Sequence, residues 1–422
     1  TSTFTFEEWK KDHGVKIGAA VQRSSSLKKI LDEIRTPEYK ERRLKEKKEQ
    51  KEKLTSEYQF GYYVGEEIVT RHLPTITTDM IKSRNQIKVS DEDTEENKRI
   101  HDLWWESGKY GSNQLNGAAI GGMVQEIDAS GNIVWEYIYS NSNHCSHHDI
   151  TLIGDNVMLI AWEVKTANEL TQAGYDGASS DKWPTHFVEI AQNGTGGQVV
   201  WEWHIWDHLI QDFDATKDNF GVVADHPELF DINMLPVMGG GSGPGGNSGD
   251  WFHVNGVNYN AELDQIAFSS RHASEVFIID HSTTSAQAAS HSGGNSNLGG
   301  DLLYRWGNPS NYDAPGAQQI PSAVHDVRWI TNDGRPNSGF LQFYNNDGGG
   351  NVSSIDAINP PINGFNYDLI PGQAYGPSSY TWRHTCEDYA SGQSSHNRMS
   401  NGNVFVNMSA GQGGAGYMYE AD

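Results

Sequence analysis

Residues 148–162 read His148-Asp-Ile-Thr-Leu-Ile-Gly-Asp-Asn-Val-Met-Leu-Ile-Ala-Trp162. A histidine opens a short β-like run, the turn at Gly154-Asp-Asn156 interrupts it, and an apolar run ends at Trp162. Short runs rich in Val, Ile and Trp between Gly, Asn and Asp turns predict β-strands joined by tight turns. Similar runs occupy most of the chain after Gly121, so the sequence predicts a mainly β protein.

A repeat becomes visible around this hairpin. Each copy has an outer strand that ends in an acidic residue, a strand with Trp, a segment opened by His, a turn and a last apolar strand. The four copies are Met123–Asp128, Ile133–Tyr137, His148–Leu152 and Val157–Trp162; His186–Ile190, Val199–Trp203, His253–Val257 and Gln265–Phe268; Val276–Asp280, Leu302–Trp306, His325–Trp329 and Phe340–Phe343; and Ser353–Asp356, Tyr380–Trp382, His396–Met399 and Val404–Val406.

The repeat favours a β-propeller over a β-sandwich. A period of roughly 70 residues with four strands per copy suits propeller blades, because stacking four-stranded units around an axis buries every Trp-bearing face. The last run, Tyr417–Glu420, resembles the start of a fifth copy and would complete a blade begun elsewhere in the chain. The strand nearest the axis is the same one in every blade, so His148, His253, His325 and His396 are predicted to face one central space.

Acidic residues are unevenly distributed along the chain of 422 residues, whose formal net charge is −24. Residues 1–115 contain 22 Lys and Arg against 21 Asp and Glu, which leaves 9 and 34 for the remainder. This shift predicts a charged N-terminal segment over residues 1–115 and a propeller domain over residues 116–422. The acidity of the second part argues against binding of nucleic acid or an anionic membrane through bulk electrostatics.

The N-terminal segment carries no identifiable chemistry. Its Lys-, Glu- and Arg-rich residues 27–54 predict an exposed helix that begins near Pro37, either solvated or serving as an arm that docks on a partner or on a second copy. Residues 58–70 predict one strand or hairpin.

A Gly-rich insertion lies between Trp206 and Trp251. It is predicted to be a solvated loop or a gate over the site.

A cluster of histidines is compatible with several kinds of chemistry. Imidazole can be a metal ligand, a nucleophile, or a general acid and base near neutral pH. Arg271 lies 18 residues after His253 and would repel a metal cation, whereas its planar guanidinium suits an oxyanion such as sulfate or phosphate. The residues therefore favour transfer of an anionic group, with a histidine as its acceptor.

Several long strings resemble the bacterial arylsulfotransferase family, also called aryl-sulfate sulfotransferases, over about residues 117–422. They are Gly121-Gly-Met-Val-Gln-Glu-Ile-Asp128, His147-His-Asp-Ile150, Val200-Trp-Glu-Trp-His-Ile-Trp-Asp-His-Leu-Ile-Gln-Asp-Phe-Asp214, Asp301-Leu-Leu-Tyr-Arg-Trp-Gly-Asn308 and Val324-His-Asp-Val-Arg-Trp329. The resemblance implies a six-bladed propeller that moves a sulfuryl group from an aryl sulfate to a phenol. It also implies a sulfohistidine intermediate and no nucleotide donor.

The resemblance implies a role for each matching residue. His325 would be the nucleophile, and His253, Asn255 and Arg271 would bind the sulfuryl oxygens. His148 would help to protonate the departing phenolate or hold its oxygen. No cofactor and no metal ligand are expected, and His396 would be structural or line the rim. The sequence departs from the family in showing four clear repeats instead of six.

Two other functional classes stay open at this stage. One is a non-catalytic extracellular propeller that acts as a structural or interaction module. The other is a metal-dependent enzyme built on the same histidines with acidic partners such as Asp149 and Asp326. The sequence also predicts a secreted, periplasmic or extracellular protein without a membrane span, and it allows one disulfide between Cys145 and Cys386.

Overall fold

A computed structural model describes residues 103–105, 115, 117, 119–128, 132–234, 249–316, 318–349, 352–409 and 416–421. The predicted N-terminal helix and the strand or hairpin over residues 58–70 lie outside these residues. The described chain is mainly β, as predicted, with few and short helices. None of the described helices is long and apolar enough to cross a membrane.

The described strands form successive antiparallel sheets in chain order. The first sheet contains β1 (Leu103–Trp105), β2 (Met123–Ile127) and β3 (Ile133–Ile138); the second contains β4 (His144–Ile153), β5 (Asn156–Glu163), β6 (Thr185–Asn193) and β7 (Gly196–His204). After them come a parallel ribbon of β8 (Leu209–Ile210) and β9 (Phe230–Asp231), and a third sheet of β10 (Val254–Asn260), β11 (Gln265–Ser270), β12 (Glu275–Asp280) and β13 (Tyr304–Trp306).

The fourth sheet contains β14 (His325–Trp329), β15 (Leu341–Asn345), β16 (Ser354–Ile358) and, after the ribbon of β17 (Ile362–Asn363) and β18 (Asn366–Tyr367), β19 (Trp382–Thr385). The last sheet contains β20 (Ser395–Arg398), β21 (Val404–Met408) and β22 (Tyr417–Ala421). Two short helices, α1 (Ala167–Gln172) and α2 (Ser285–Ala288), follow β5 and β12.

The chain divides into two compact units. The larger unit covers residues 103–127 and 132–395 and contains the first four sheets. The smaller unit includes residues 396–421 and therefore most of the last sheet. The predicted boundary between residues 115 and 116 stays a prediction, although β1, on its N-terminal side, pairs with β2.

The predicted strands are present, but the repeat was assigned in the wrong phase. Each four-stranded sheet begins with a strand that contains or directly follows a predicted histidine, so the outer and Trp strands of the first predicted copy belong to the preceding sheet. A sequence period fixes the spacing of strands and leaves open which strand starts a sheet. The same shift explains Tyr417–Glu420, which was expected to complete a blade begun elsewhere, whereas β22 pairs with its chain neighbour β21.

The larger unit has a blade-like arrangement. The first strands of its three four-stranded sheets lie together, with β10 contacting both β4 and β14. Aromatic side chains fill the space between the second and third sheets, where Phe187 lies 5.1 Å from Phe268 and 5.4 Å from Trp203 by ring centroid. Full burial of each such ring contributes roughly 1.5–3 kcal/mol, so packing between neighbouring sheets is a main source of stability. The number of blades stays a prediction.

A buried ion pair joins β12 to β13. Arg305 Nε donates to Glu275 Oε1 at 3.0 Å, and Arg305 Nη2 donates to Glu275 Oε2 at 2.7 Å. Neither side chain is exposed to solvent, and the guanidinium also lies 4.3 Å from the Tyr312 ring centroid. Removing one charge would leave the other buried without its counterion.

We expect Glu275→Gln to lower the free energy of unfolding by about 3–5 kcal/mol, the usual cost of breaking a buried pair. Asp333→Asn is the matched control, because Asp333 and Arg335 form a pair near the surface and such pairs contribute about 0–1 kcal/mol. Urea unfolding of both variants measures the difference. Equal losses would show that the buried pair contributes no more than the surface pair.

Candidate active site

Backbone irregularities direct the histidines of the inner strands, which are β4, β10 and β14, the first strands of the three four-stranded sheets. The pairing of β4 with β5 shifts register between Ser146 and Ile150, and His148, within that bulge, has φ 57°. His253 precedes β10 with φ 49°, and β14 shifts register directly after His325. Bulges and left-handed residues re-aim side chains that a regular strand would place elsewhere. Each of the three inner strands therefore presents its histidine from an irregular segment.

Three imidazoles form a hydrogen-bonded chain that ends on Asp250. His147 Nδ1 lies 2.8 Å from His148 Nδ1, and His148 Nε2 lies 3.1 Å from His253 Nε2. His253 Nδ1 lies 2.6 Å from Asp250 Oδ2. Three neutral rings satisfy every contact if His147 donates to His148, His148 to His253 and His253 to Asp250. This arrangement provides a continuous route for a proton.

Asp250 is the fixed end of that chain. Its Oδ1 accepts hydrogen bonds from Trp162 Nε1 at 3.0 Å and from the His253 backbone N–H at 3.2 Å. Burial would raise the pKa of this carboxyl, but the electrostatic effect of the neighbouring His253 and the hydrogen bond from it lower the pKa to about 2. Asp250 is therefore ionised and holds the orientation of the His253 ring.

The surrounding imidazoles are kept neutral. Burial, together with the proximity of His253, lowers the pKa of His148 well below its usual range. Burial also lowers the pKa of His147 to about 3, where its ring stacks on Trp162 at a centroid distance of 4.0 Å. His272 lies 4.8 Å from His253 by ring centroid, and burial lowers its pKa to about 4.

His325 has a defined tautomer. Its Nδ1 lies 2.9 Å from the Ala323 carbonyl oxygen and 2.6 Å from Asn346 Oδ1, so Nδ1 carries the proton. Its Nε2 accepts a hydrogen bond from the Gln393 backbone N–H at 3.1 Å, so Nε2 carries a lone pair. Burial, followed by the effect of His253, lowers the pKa of His325 to about 3. The ring is neutral at physiological pH.

Asn255 and Arg271 lie on the same inner hairpin. The Asn255 amide donates to the Val324 carbonyl at 2.8 Å and accepts from Ser269 Oγ at 2.7 Å, so it fixes the backbone directly before His325. Arg271 donates from Nη2 to the Ser391 carbonyl at 3.2 Å, and its charge contributes to the low pKa of His325.

His148 and His253 contact each other, and His253 and Arg271 lie close enough to His325 to lower its pKa. That His396 faces the same space stays a prediction. His396 is buried in β20, within the smaller unit, and its structural or rim role stays a prediction. Cys145 and Cys386 are buried and are not bonded to each other. The sequence reasoning missed four contributors: His147, Asp250, His272 and Asn346. Only the tandem histidines and the spacing of Asp250 three residues before His253 gave a signal.

Comparison with protein families gives one decisive match. A family description named Arylsulfotransferase (ASST) matches residues 95–413. The chain belongs to this family. Membership supports aryl sulfotransferase activity in general, with an aryl sulfate and a phenol as small-molecule substrates. Comparison with curated proteins gives no match.

Solved structures resemble this chain only distantly. A luciferin-regenerating enzyme has 8% identity and a TM-score of 0.32, covering 72% of this chain and 70% of its own. Regucalcin from Agrobacterium tumefaciens has 6% identity and a TM-score of 0.33, covering 72% and 73%. The β-propeller domain of Cps50 (Swd1) from Myceliophteria thermophila has 9% identity and a TM-score of 0.25, covering 63% and 56%.

We expect the His325 ring to stay neutral, with its proton on Nδ1, between pH 8 and pH 5. Burial disfavours the charged form, and the low pKa places protonation below this window. Long-range ¹H–¹⁵N NMR correlations, assigned by their loss in His325→Asn, measure the state of both nitrogens. Protonation of Nε2 near pH 6.5, the ordinary value for histidine, would contradict the burial argument.

Proposed function

We propose that this arylsulfotransferase transfers a sulfuryl group from an aryl sulfate to a phenolic acceptor through a sulfohistidine on His325, without a nucleotide donor. The observation that carries the proposal is the tautomer of His325. A neutral imidazole with its lone pair on Nε2 and its proton fixed on Nδ1 is a competent nucleophile at neutral pH.

The first half-reaction breaks one bond and forms one. Nε2 of His325 attacks sulfur in line, the bond between sulfur and the aryl oxygen breaks, and the phenolate leaves with the electron pair. Attachment of sulfur to Nε2 makes the ring cationic while Nδ1 keeps its proton. The carbonyl of Ala323 and the amide oxygen of Asn346 accept from that proton and stabilise the developing charge.

Protonation of the leaving oxygen falls to the histidine chain. His148 and His253 face each other through their Nε2 atoms, and Asp250 holds the far end of His253. Before transfer the chain would hold one proton more than its neutral state, with the Asp250 carboxylate as counterion, and delivery of that proton to the phenolate would leave three neutral rings. The second half-reaction reverses these steps: an acceptor phenol loses its proton and its oxygen attacks sulfur, which restores neutral His325.

Arg271 and Asn255 would offset charge on the non-bridging sulfuryl oxygens. The guanidinium presents a fork of N–H donors that matches two oxygens of a sulfate ester. The Asn255 amide uses one N–H for the Val324 carbonyl, and its second N–H would donate to a sulfuryl oxygen. His253 would complete this set when the chain holds its extra proton, because in the neutral chain Nδ1 donates to Asp250 and Nε2 accepts from His148. The protein would then stabilise the transition state mainly by positioned charge.

Access to sulfur requires the Gln393 amide to withdraw, because its N–H occupies the Nε2 lone pair. The substrate would take its place.

We also propose that the sheets form a six-bladed ring. A secreted, periplasmic or extracellular location is proposed as well, and the acidic balance of the chain supports it. Residues 1–115 would bind a protein partner or a second copy.

We expect brief exposure to p-nitrophenyl sulfate to add one sulfuryl group, about 80 Da, to His325 and to release nitrophenol, as nucleophilic catalysis requires. Addition of phenol should discharge the adduct. Intact-protein mass spectrometry with peptide mapping detects the group, and His325→Asn should lose both adduct and release while keeping its fold by circular dichroism. Turnover that survives this substitution would remove the proposed nucleophile.

Asn346 is proposed as a positioning residue for His325. We expect Asn346→Asp to move the acid limb of the kcat/KM profile to higher pH, because a carboxylate beside Nδ1 stabilises the imidazolium and raises the pKa of His325. The control is Asn363→Asp, the same change at an exposed position, which should leave the profile unmoved. An unshifted profile with a uniformly lower rate would indicate a purely structural role.

A further inference from the structure

A second cluster of ligating side chains lies outside the histidine chain. His208 ends the 3₁₀ turn Ile205–His208 that follows β7, whereas His291 and Asp301 lie in the segment that joins α2 to β13. We propose that these three side chains hold one divalent transition metal ion of the zinc class. The sequence predicted no metal ligand, and these residues are distinct from the inner-strand histidines.

The ligand atoms already converge. His208 Nδ1 lies 2.8 Å and His291 Nδ1 lies 2.7 Å from the same atom, Asp301 Oδ1, and the candidate ligand atoms all lie within 4.8 Å of one another. Ligands about 2.0–2.1 Å from zinc lie about 2.9–3.4 Å apart, so only a small outward movement admits the ion. Two imidazoles and one carboxylate are a ligand set that suits zinc and its neighbours.

The orientation of His208 suits a metal ligand. Its Nε2 lies 2.8 Å from the Ala288 carbonyl oxygen, which can only accept, so Nε2 carries the proton. Nδ1 lies 2.8 Å from Asp301 Oδ1 in a buried position, where either a proton on Nδ1 or a metal cation can join the two atoms. Metal-bound histidines usually donate their other N–H to a carbonyl in this way.

The surrounding chain holds the cluster in place. The His208 ring stacks on Trp203 at a centroid distance of 5.7 Å, and Trp203 Nε1 donates to the Gly300 carbonyl at 2.7 Å. Gly300 passes so close that a Cβ there would lie 1.9 Å from the Ala288 carbonyl oxygen and 2.6 Å from His208 Nε2. Both buried ligands are therefore pre-positioned before any ion binds.

The third ligand provides the access route. The His291 side chain is 63% exposed, and it lines an open cleft together with Trp206, Asp207 and His226. Three protein ligands leave at least one position for water from this cleft. Such an ion would connect the long α2–β13 segment to the turn after β7 and would stabilise that region independently of sulfuryl transfer.

The test uses the full chain, purified without a histidine tag and stripped with a chelator, and titrated with Zn²⁺ and with Co²⁺. We expect one equivalent bound per chain in competition with a chromophoric chelator, a rise in Tm, and visible Co²⁺ absorption typical of nitrogen and oxygen ligation. His291→Ala removes an exposed ligand without opening the core and should weaken affinity by more than about tenfold.

The matched control is His226→Ala, an exposed histidine of the same cleft, which should keep wild-type affinity and the rise in Tm. Asp301→Asn, folded by circular dichroism, should bind as weakly as His291→Ala. Three outcomes would overturn the proposal: no bound equivalent in the wild type, equal affinity in His291→Ala and wild type, or an NMR signature of His208 with protons on both nitrogens in the zinc-loaded protein.

Discussion

The site depends on how closely the inner strands of neighbouring sheets approach. A Cβ on Gly256 would lie 3.0 Å from the backbone N and Cα of Asp326, so β10 and β14 meet with no room for a side chain between them. Strands from different sheets lack a shared ladder, and their facing backbone groups need other partners. Side chains supply them: Asp149 accepts from Val257 N–H, Asn255 donates to the Val324 carbonyl, and Asn258 accepts from Trp329 N–H. These bonds hold the three histidine-bearing strands in register.

Much of the fold follows from local pattern. Runs of Val, Ile and Trp between turn residues predict the strands because alternation and turn chemistry act within a few residues. β2, β3 and β5 coincide closely with the predicted runs, whereas β4 begins at His144, before its predicted start at His148. The phase of the repeat does not follow, since every strand of an antiparallel meander pairs with its chain neighbours on both sides. Where one sheet ends is decided by packing between sheets, which the period does not encode.

The site residues show the same contrast between what local pattern predicts and what packing decides. His148, His253 and His325 could be predicted because they recur at one repeat position, and a repeat superposes equivalent residues. Asp250, Asn346 and His272 come from connections and strand ends outside the predicted runs. Their contribution arises from contacts across 3 to 21 residues of chain, for example from Asn346 to His325, that only the folded structure defines. Asn255 was predicted as a binding residue, and the structure adds that it supports the backbone before His325.

The hydrogen bond from the Gln393 amide to His325 Nε2 depends on the backbone conformation at position 393 and not on which side chain stands there. The donor is a main-chain N–H, which every amino acid except proline possesses, and the side chain at this position takes no part in it. The backbone there has φ 55°, a conformation that glycine and asparagine adopt more readily than β-branched residues. Among relatives, position 393 would therefore be free to drift among residues that tolerate this geometry. A conservation profile would then give position 393 a low score, even though its main-chain N–H contacts Nε2 of the proposed nucleophile His325.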